Sequence, residues 1–313
     1  MKKTLILTTL LLANSLFTAE KKIVRGVDRF KLVYELQLPK LEKKGTLWIP
    51  LARTDAYQNL QSLTIESPVP WRKTRDAKHH NELLILNPGP DDSGKRITIR
   101  YQVERTEKKP HTEVGDPKQY LKADKLVPLS PRFIPFANKA TENLPDNFAR
   151  GKALYHHVLG RMRYDKSGKG WGRGDALYAC DTRTGNCTDF HAYFIALCRA
   201  INIPARFAIG FTIPADRDTG VISGYHCWAE FHADAKWVPV DISEADKHPE
   251  LADYYFGHHP ANRLEVSRGR DILPKPAPRT GPFNYFFGPH LEVAGKKVPL
   301  KATFEFKRLM LKQ

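Results

Sequence analysis

The chain has few cysteines. Only Cys180, Cys187, Cys198 and Cys227 occur among 313 residues. Even the first two are spaced too widely for the Cys pairs of zinc-binding motifs, which lie two to four residues apart. Three histidine doublets are scattered along the chain and form no ligand pattern. The sequence therefore predicts no metal site and no bound cofactor.

Acidic residues are also scarce relative to basic ones. The 34 Asp and Glu residues stand against 50 Lys and Arg, which gives a formal net charge of +16. The charge is spread along the chain and no nucleic-acid-binding motif accompanies it, so a nucleic-acid partner is not predicted. A strongly basic exported protein associates with anionic partners such as cell-wall polymer, lipopolysaccharide or acidic protein.

Long hydrophobic runs are confined to the first residues, MKKTLILTTLLLANSLFTAE. Two lysines precede an apolar run that is too short to cross a membrane, and small and polar residues follow it. This pattern predicts a secretory signal peptide over residues 1–19, with cleavage near Ala19. We therefore expect a periplasmic or extracellular protein without a transmembrane segment. The pattern says nothing about oligomeric state.

The chain divides into three stretches by pattern. Residues 20–108 contain short alternating segments such as FKLVYELQL and RITIRYQVER, separated by turn signals such as NPGPDDSG. They predict a small β-sandwich of immunoglobulin-like type with a packing or adhesion role. Residues 109–140 are rich in proline and mixed charge and predict a connecting segment. Residues 141–313 combine a helical pattern with later strands.

The most informative stretch is GNCTDFHAYFIALCRAINIPARF, residues 185–207. Apolar residues recur at helical spacing, and Asn186 is suited to be the N-cap. Cys187 would then open the helix, where backbone N–H groups favour a thiolate. Asp189 is expected to cap the first turn. A buried, inert helix cysteine is the alternative.

A second stretch, YHCWAEFHADAKWVPVD, covers residues 225–241 and predicts two strands. A short even-length turn around Ala233–Asp234 would place His226 directly opposite Asp241, within reach for the carboxylate to orient the imidazole. An odd-length turn would break this register.

The blocks around Cys187, YHCWAEF and WVPVD resemble the transglutaminase-like superfamily of papain-like thiol enzymes. The flanks RYDKSGKGWGRGDA, DISEADKHPE and NRLEVSRGRDI resemble its bacterial secreted branch, so the resemblance covers roughly residues 140–290. It implies an α+β core, a helix packed on an antiparallel sheet, within a catalytic domain over residues 141–313 that includes C-terminal strands.

The resemblance also implies a catalytic triad, with Cys187 as nucleophile, His226 as base and acid, and Asp241 as the orienting carboxylate. The expected reaction is acyl transfer from amide bonds of a protein or peptide through a thioester, with cell-wall peptide as one candidate substrate. Hydrolysis would make the protein a peptidase or amidase, and an amine acceptor would make it a transamidase. A non-catalytic binding or scaffold protein with the same fold is the alternative.

The oxyanion site is less defined by sequence. The N–H of Cys187 is the natural first donor, because it opens a helix. Trp171, Tyr164 and Asn186 are the candidates for a second donor and remain open. His191, one turn after Cys187, is a rival base. If Cys187 stays reduced, a disulfide between Cys180 and Cys227 is conceivable.

Overall fold

The computed structural model describes residues 23–309, and the predicted signal peptide over residues 1–19 lies outside them. The chain forms two compact units. The helix-rich unit comprises residues 23–26, Glu107–Phe207 and Cys227–Asn262. The β unit comprises Val27–Thr106, Ala208–His226 and residues 263–309.

The elements of the described residues are numbered in chain order. The strands are β1 Val27–Gln37, β2 Gly45–Leu51, β3 Gln58–Glu66, β4 Trp71–Arg75, β5 Glu82–Leu86, β6 Arg96–Thr106, β7 Arg163–Tyr164, β8 Thr184–Gly185, β9 Ala205–Thr212, β10 Thr219–Val221, β11 His226–Ala233, β12 Lys236–Val240, β13 Arg263–Arg268, β14 His290–Val293, β15 Lys296–Val298 and β16 Lys301–Arg308. The α-helices are α1 Ile134–Ala140, α2 Asn147–Arg161, α3 Ala176–Thr182, α4 Cys187–Ala200, α5 Ile242–Lys247 and α6 Ala252–Tyr255. Short 3₁₀ helices are Pro90–Asp92, Pro117–Leu121, Pro131–Phe133 and Pro249–Leu251.

The β unit contains two five-stranded sheets, in the orders β10-β16-β1-β6-β3 and β15-β14-β2-β5-β4. Strand β1 alternates between exposed and buried residues, as a strand with one face on the core must. Its buried side chains pack with those of β2 in one hydrophobic core. The all-β character predicted for the N-terminal region is confirmed.

The C-terminal strands belong to these same sheets. Strand β16 pairs antiparallel with β1, and β14 pairs antiparallel with β2. Strand β1 would otherwise present an unpaired edge, because β6 covers only its other side. The structure thus groups residues 290–308 with the N-terminal strands, whereas the linear reading of the sequence groups them with the catalytic domain.

The helix-rich unit is built around α4. Every residue of this helix except Ala200 is buried, including Thr188 and Asp189. The predicted helix is confirmed, but it is enclosed on all sides instead of burying one face. Strands β11 and β12 form an antiparallel hairpin against it, and the rings of Phe194 and Phe231 meet edge to face at 6.0 Å. The predicted α+β core is confirmed.

Candidate active site

Cys187 is the first residue of α4 and is only 2% exposed. The side-chain oxygen of Asn186 accepts the N–H of Thr188 at 2.9 Å, which confirms Asn186 as the N-cap. Asp189 completes a capping box by accepting the N–H of Asn186 at 3.0 Å. The sulfur-bearing residue therefore lies at the positive end of a buried helix dipole, which favours a thiolate.

Asp189 also fixes the loop that precedes the helix. We call residues 165–175 the glycine-rich loop. The Asp189 carboxylate accepts the N–H of Gly172 at 2.6 Å and that of Gly174 at 2.9 Å. Burial, opposed by these backbone hydrogen bonds, raises the pKa of this fully buried carboxyl. The capping role was predicted; the link to the loop was missed, because partners 15 and 17 residues apart leave no local signal.

Gly185 makes this approach possible. Its φ is +153°, and a Cβ there would lie 2.5 Å from a carboxylate oxygen of Asp189. An L side chain at this position would push Asp189 away from the loop it holds. In the Gly-Asn pair before Cys187, glycine is therefore required for steric reasons and asparagine serves as the N-cap.

Tyr164 is held beside the start of α4. Strand β7 pairs in parallel with β8, with Tyr164 opposite Gly185, and the N–H of Tyr164 donates to Asp246 at 2.8 Å. Burial, and the negative charge that Cys187 carries when it is ionised, raise the pKa of Tyr164 to about 12. Its hydroxyl therefore stays protonated at neutral pH and remains a hydrogen-bond donor.

The other oxyanion candidates are placed differently. Asn186 uses its side-chain oxygen as the helix cap, accepting both the N–H and the hydroxyl of Thr188. Trp171 is half-buried in the glycine-rich loop, and the ammonium of Lys166 lies 6.0 Å from its ring. Tyr164 lies near enough to Cys187 for the two groups to interact electrostatically.

His191 is completely buried and bonded at both ring nitrogens. Its Nδ1 lies 2.7 Å from the carbonyl oxygen of Cys187, and its Nε2 accepts the N–H of Ile242 at 3.1 Å. Because Nε2 is an acceptor, the proton resides on Nδ1, which donates to Cys187. The Oδ1 of Asp241, 3.7 Å from Nε2, therefore faces a neutral imidazole.

His226 and Asp241 are both buried, at the start of β11 and directly after β12. Ala233 pairs with Lys236, so the hairpin turn is the two residues Asp234 and Ala235, both with positive φ. The turn has the predicted even length but falls one residue later than predicted. The register pairs Ala229 with Val240 and, extended by one step, aligns Asp241 with Trp228.

The predicted direct pairing of His226 with Asp241 is therefore wrong by two residues. Trp228, which the extended register aligns with Asp241, is two positions from His226 and so lies on the same face of β11, because side chains alternate with a period of two. Asp241 is also the N-cap of α5, where its Oδ1 accepts the N–H of Glu244 at 3.1 Å and the hydroxyl of Ser243 at 3.0 Å.

All four cysteines are free thiols in the structure, including Cys180 and Cys227. Within residues 23–309 no group of three or more His, Cys, Asp or Glu side chains is arranged to hold a metal ion. Over the same residues, no helix is both long enough and apolar enough to cross a membrane.

Part of the chain is similar to a known protein family. Residues 134–242 match the model of the transglutaminase-like superfamily. An uncharacterized protein of Haemophilus influenzae is 26% identical over 361 aligned positions, covering 98% of each chain. The crystal structure of a candidate cysteine protease from Cytophaga hutchinsonii superimposes with a TM-score of 0.62 at 15% identity, covering 92% of each chain.

A weaker structural match is the periplasmic domain of TgpA from Pseudomonas aeruginosa, with a TM-score of 0.36, 18% identity and coverage of 72% of this chain and 90% of that one. The helix that begins at Cys187 and the hairpin that leads to Asp241 both lie within the matched segment, residues 134–242. Residues 134–242 are therefore similar to the transglutaminase-like superfamily.

Proposed function

We propose that this protein is an exported thiol enzyme that transfers acyl groups from amide bonds through Cys187, His226 and Asp241. One observation carries the proposal. The cysteine stands at the first turn of an enclosed helix whose start is fixed by Asp189 from within and by the glycine-rich loop from outside. This fixed helix start holds Cys187 at the positive end of the helix dipole, where a thiolate is favoured.

In the proposed reaction, the thiol of Cys187 gives its proton to His226, and the thiolate attacks the amide carbonyl. The tetrahedral intermediate collapses when the imidazolium of His226 protonates the leaving amine, which leaves a thioester on Cys187. Water or an amine then attacks the thioester and gives its proton to His226, and the thiolate departs. Asp241 holds the imidazole orientation and stabilises its charged form.

The developing oxyanion would receive hydrogen bonds from the N–H of Cys187 and from the hydroxyl of Tyr164. The N–H belongs to the first residue of α4, where no carbonyl of the preceding turn is available within the helix. The hydroxyl of Tyr164 keeps its proton at this step because burial raises its pKa. Trp171 is the competing side chain for this second position.

The acceptor decides between hydrolysis and transamidation. We favour hydrolysis of a protein or peptide outside the cytoplasm, with cell-wall peptide among the candidate substrates. The high positive charge, +16 for the whole chain, supports an anionic partner in that compartment.

An unbiased screen of peptides and amines, read by mass spectrometry on the purified mature protein, tests the proposal. The wild type and the control Cys198→Ala should give cleaved or exchanged products, whereas Cys187→Ala should give none. Cys198 is the matched control because it lies in the same helix, fully buried. No product from any variant, together with Cys187 alkylation at the rate of an ordinary thiol, would favour the scaffold reading.

A further inference from the structure

The glycine-rich loop carries two ammonium groups that no carboxylate neutralises. Lys166 and Lys169 are both exposed. Across residues 23–309, no Asp or Glu oxygen lies within salt-bridge distance of either one. The neighbouring arginines differ, because Arg173 pairs with Asp175 at 2.8 Å and Arg163 lies 4.0 Å from Asp246.

The loop is fixed against the start of α4 on both sides of the nucleophile. The N–H of Asp165 donates to the carbonyl of Gly185, two residues before Cys187, at 3.0 Å. The N–H groups of Gly172 and Gly174 donate to Asp189, two residues after it. The loop backbone is therefore anchored to the start of α4 on either side of Lys166 and Lys169.

A third lysine approaches the same place from α5. The ammonium of Lys247 lies 4.1 Å from the ring centre of Tyr164, and that of Lys166 lies 5.6 Å from the same ring. Lys247 is paired with Glu244 at 2.7 Å and is partly exposed. Asp165, the carboxylate nearest in sequence, is engaged by the N–H and hydroxyl of Ser167.

From this geometry we infer that Lys166 and Lys247 form a cationic rim beside Tyr164, to which Lys169 of the same loop adds charge, and that this rim recognises a carboxylate on the acyl donor. The inference rests on the proposed function and narrows its substrate to an acidic peptide or peptide-like chain, with a carboxylate close to the scissile amide. Clustered ammonium groups raise the local concentration of such a substrate before the chemical step.

Two alkylating reagents that differ in charge test the rim without knowledge of the substrate. Iodoacetamide is neutral and iodoacetate is an anion. In both reagents the thiolate attacks the CH₂ carbon, iodide leaves, and a thioether forms. The rate ratio of iodoacetate to iodoacetamide at Cys187, compared with the ratio for glutathione, therefore reports recognition of a carboxylate. Fragment ions of the labelled peptide separate Cys187 from Cys198.

We expect the ratio at Cys187 to exceed that of glutathione by about 10-fold or more, because electrostatic focusing raises local concentrations and on-rates by roughly 10- to 1,000-fold. The double variant Lys166→Glu, Lys169→Glu should bring it to the glutathione value or below. Lys139→Glu on α1 makes the same kind of charge change at another exposed lysine and should leave the ratio unchanged. The excess should shrink between about 0.01 M and about 1 M salt, as the Debye length falls from about 30 Å to about 3 Å.

A wild-type ratio equal to that of glutathione, or one that charge reversal does not move, would overturn the inference. Failure of the proposed function has a different signature, because Cys187 would then react slowly with both reagents while their ratio could still be measured. If a peptide substrate is found, replacing its Glu residues by Gln should lower kcat/KM for the wild type and have little effect in the double variant.

Discussion

The imidazole of His191 accepts the backbone N–H of Ile242 at 3.1 Å, one residue after the proposed catalytic carboxylate Asp241. Its other nitrogen donates to the carbonyl of Cys187 at 2.7 Å. A general base needs a lone pair directed at the thiol, and here that lone pair is used by the backbone. His191 therefore joins the nucleophile residue to the turn that carries Asp241, and we assign it a structural role.

The two histidines should consequently separate in mutagenesis. His226→Asn should lower kcat by about 10²–10⁴-fold, because the proton acceptor and donor of the reaction is lost. His191→Asn keeps a donor for the Cys187 carbonyl but loses the acceptor for Ile242, which should cost about 1–3 kcal/mol of unfolding free energy and leave measurable turnover.

Urea denaturation and turnover, measured on both variants, check this assignment. An inactive but fully stable His191→Asn protein beside an active His226→Asn protein would reverse the two roles.

Local sequence signals were sufficient for the start of the nucleophile helix. A side chain that can cap, a cysteine and an acid three residues after the cap lie within one turn, so Asn186, Cys187 and Asp189 could be placed from propensity and hydrogen-bonding chemistry alone. The even-length hairpin turn was also predictable, but its position was not. Asp234 and Ala235 both adopt positive φ, and alanine gives no sign of this.

Features that depend on distant partners could not be predicted. The loop glycines meet Asp189 only once the chain has folded, and the pairing of β16 with β1 joins residues more than 260 positions apart. The proximity of Tyr164 to Cys187 depends on the two-residue strands β7 and β8, which are too short to leave a periodic pattern. The family resemblance supplied the proposed triad, and our preference for Tyr164 as the second oxyanion donor rests on its position and not on the sequence.

Tyr164→Phe should lower kcat by about 10²–10³-fold with little change in KM, because the hydroxyl is needed only when negative charge develops on the oxygen. Alkylation of Cys187 by iodoacetamide should persist, since the nucleophile is retained. Tyr178→Phe is the control, as Tyr178 is a half-buried tyrosine on α3 in the same unit. If Trp171→Phe produced the kcat loss and Tyr164→Phe did not, the indole would be the second donor.

Asp189→Asn should loosen the glycine-rich loop. The amide retains one acceptor oxygen but presents an NH₂ group toward backbone N–H donors that the carboxylate now satisfies. Leaving a buried donor unsatisfied costs about 1–3 kcal/mol. We expect a lower unfolding free energy and faster tryptic cleavage after Lys166 and Lys169, with Asp181→Asn, at an exposed carboxylate, as the control. Unchanged protection of the loop would show that other contacts hold it.

Glu292 in the β unit gives a prediction about acid stability. Burial alone would raise its pKa, but hydrogen bonds from Thr280, the N–H of Arg279 and His290 lower it from 4.5 to about 2. A lowered pKa in the folded state stabilises the protein above the unfolded value, and this contribution is lost as pH falls toward 2.

The difference in unfolding free energy between wild type and Glu292→Gln should therefore be largest above about pH 5 and shrink through the range from 4.5 to about 2. Denaturation curves across that range measure it. A difference that stays constant with pH would mean that the charge of Glu292 contributes nothing.

Two glycines in α2 should respond in opposite ways to the same substitution. A Cβ at Gly151 would overlap the ring of Phe231 on β11, whereas one at Gly160 would meet nothing within 4 Å. Alanine stabilises an exposed helix interior by about 0.5–1 kcal/mol relative to glycine, so Gly160→Ala should raise the unfolding free energy. Gly151→Ala has the same gain in propensity but forces apart a helix and a strand in a close-packed interior, which typically costs about 1–3 kcal/mol.

Because β11 begins at His226, displacement of the strand should also lower turnover in Gly151→Ala and leave it intact in Gly160→Ala. Equal stability and equal turnover in the two variants would mean that the helix can shift without disturbing the strand that carries the proposed base.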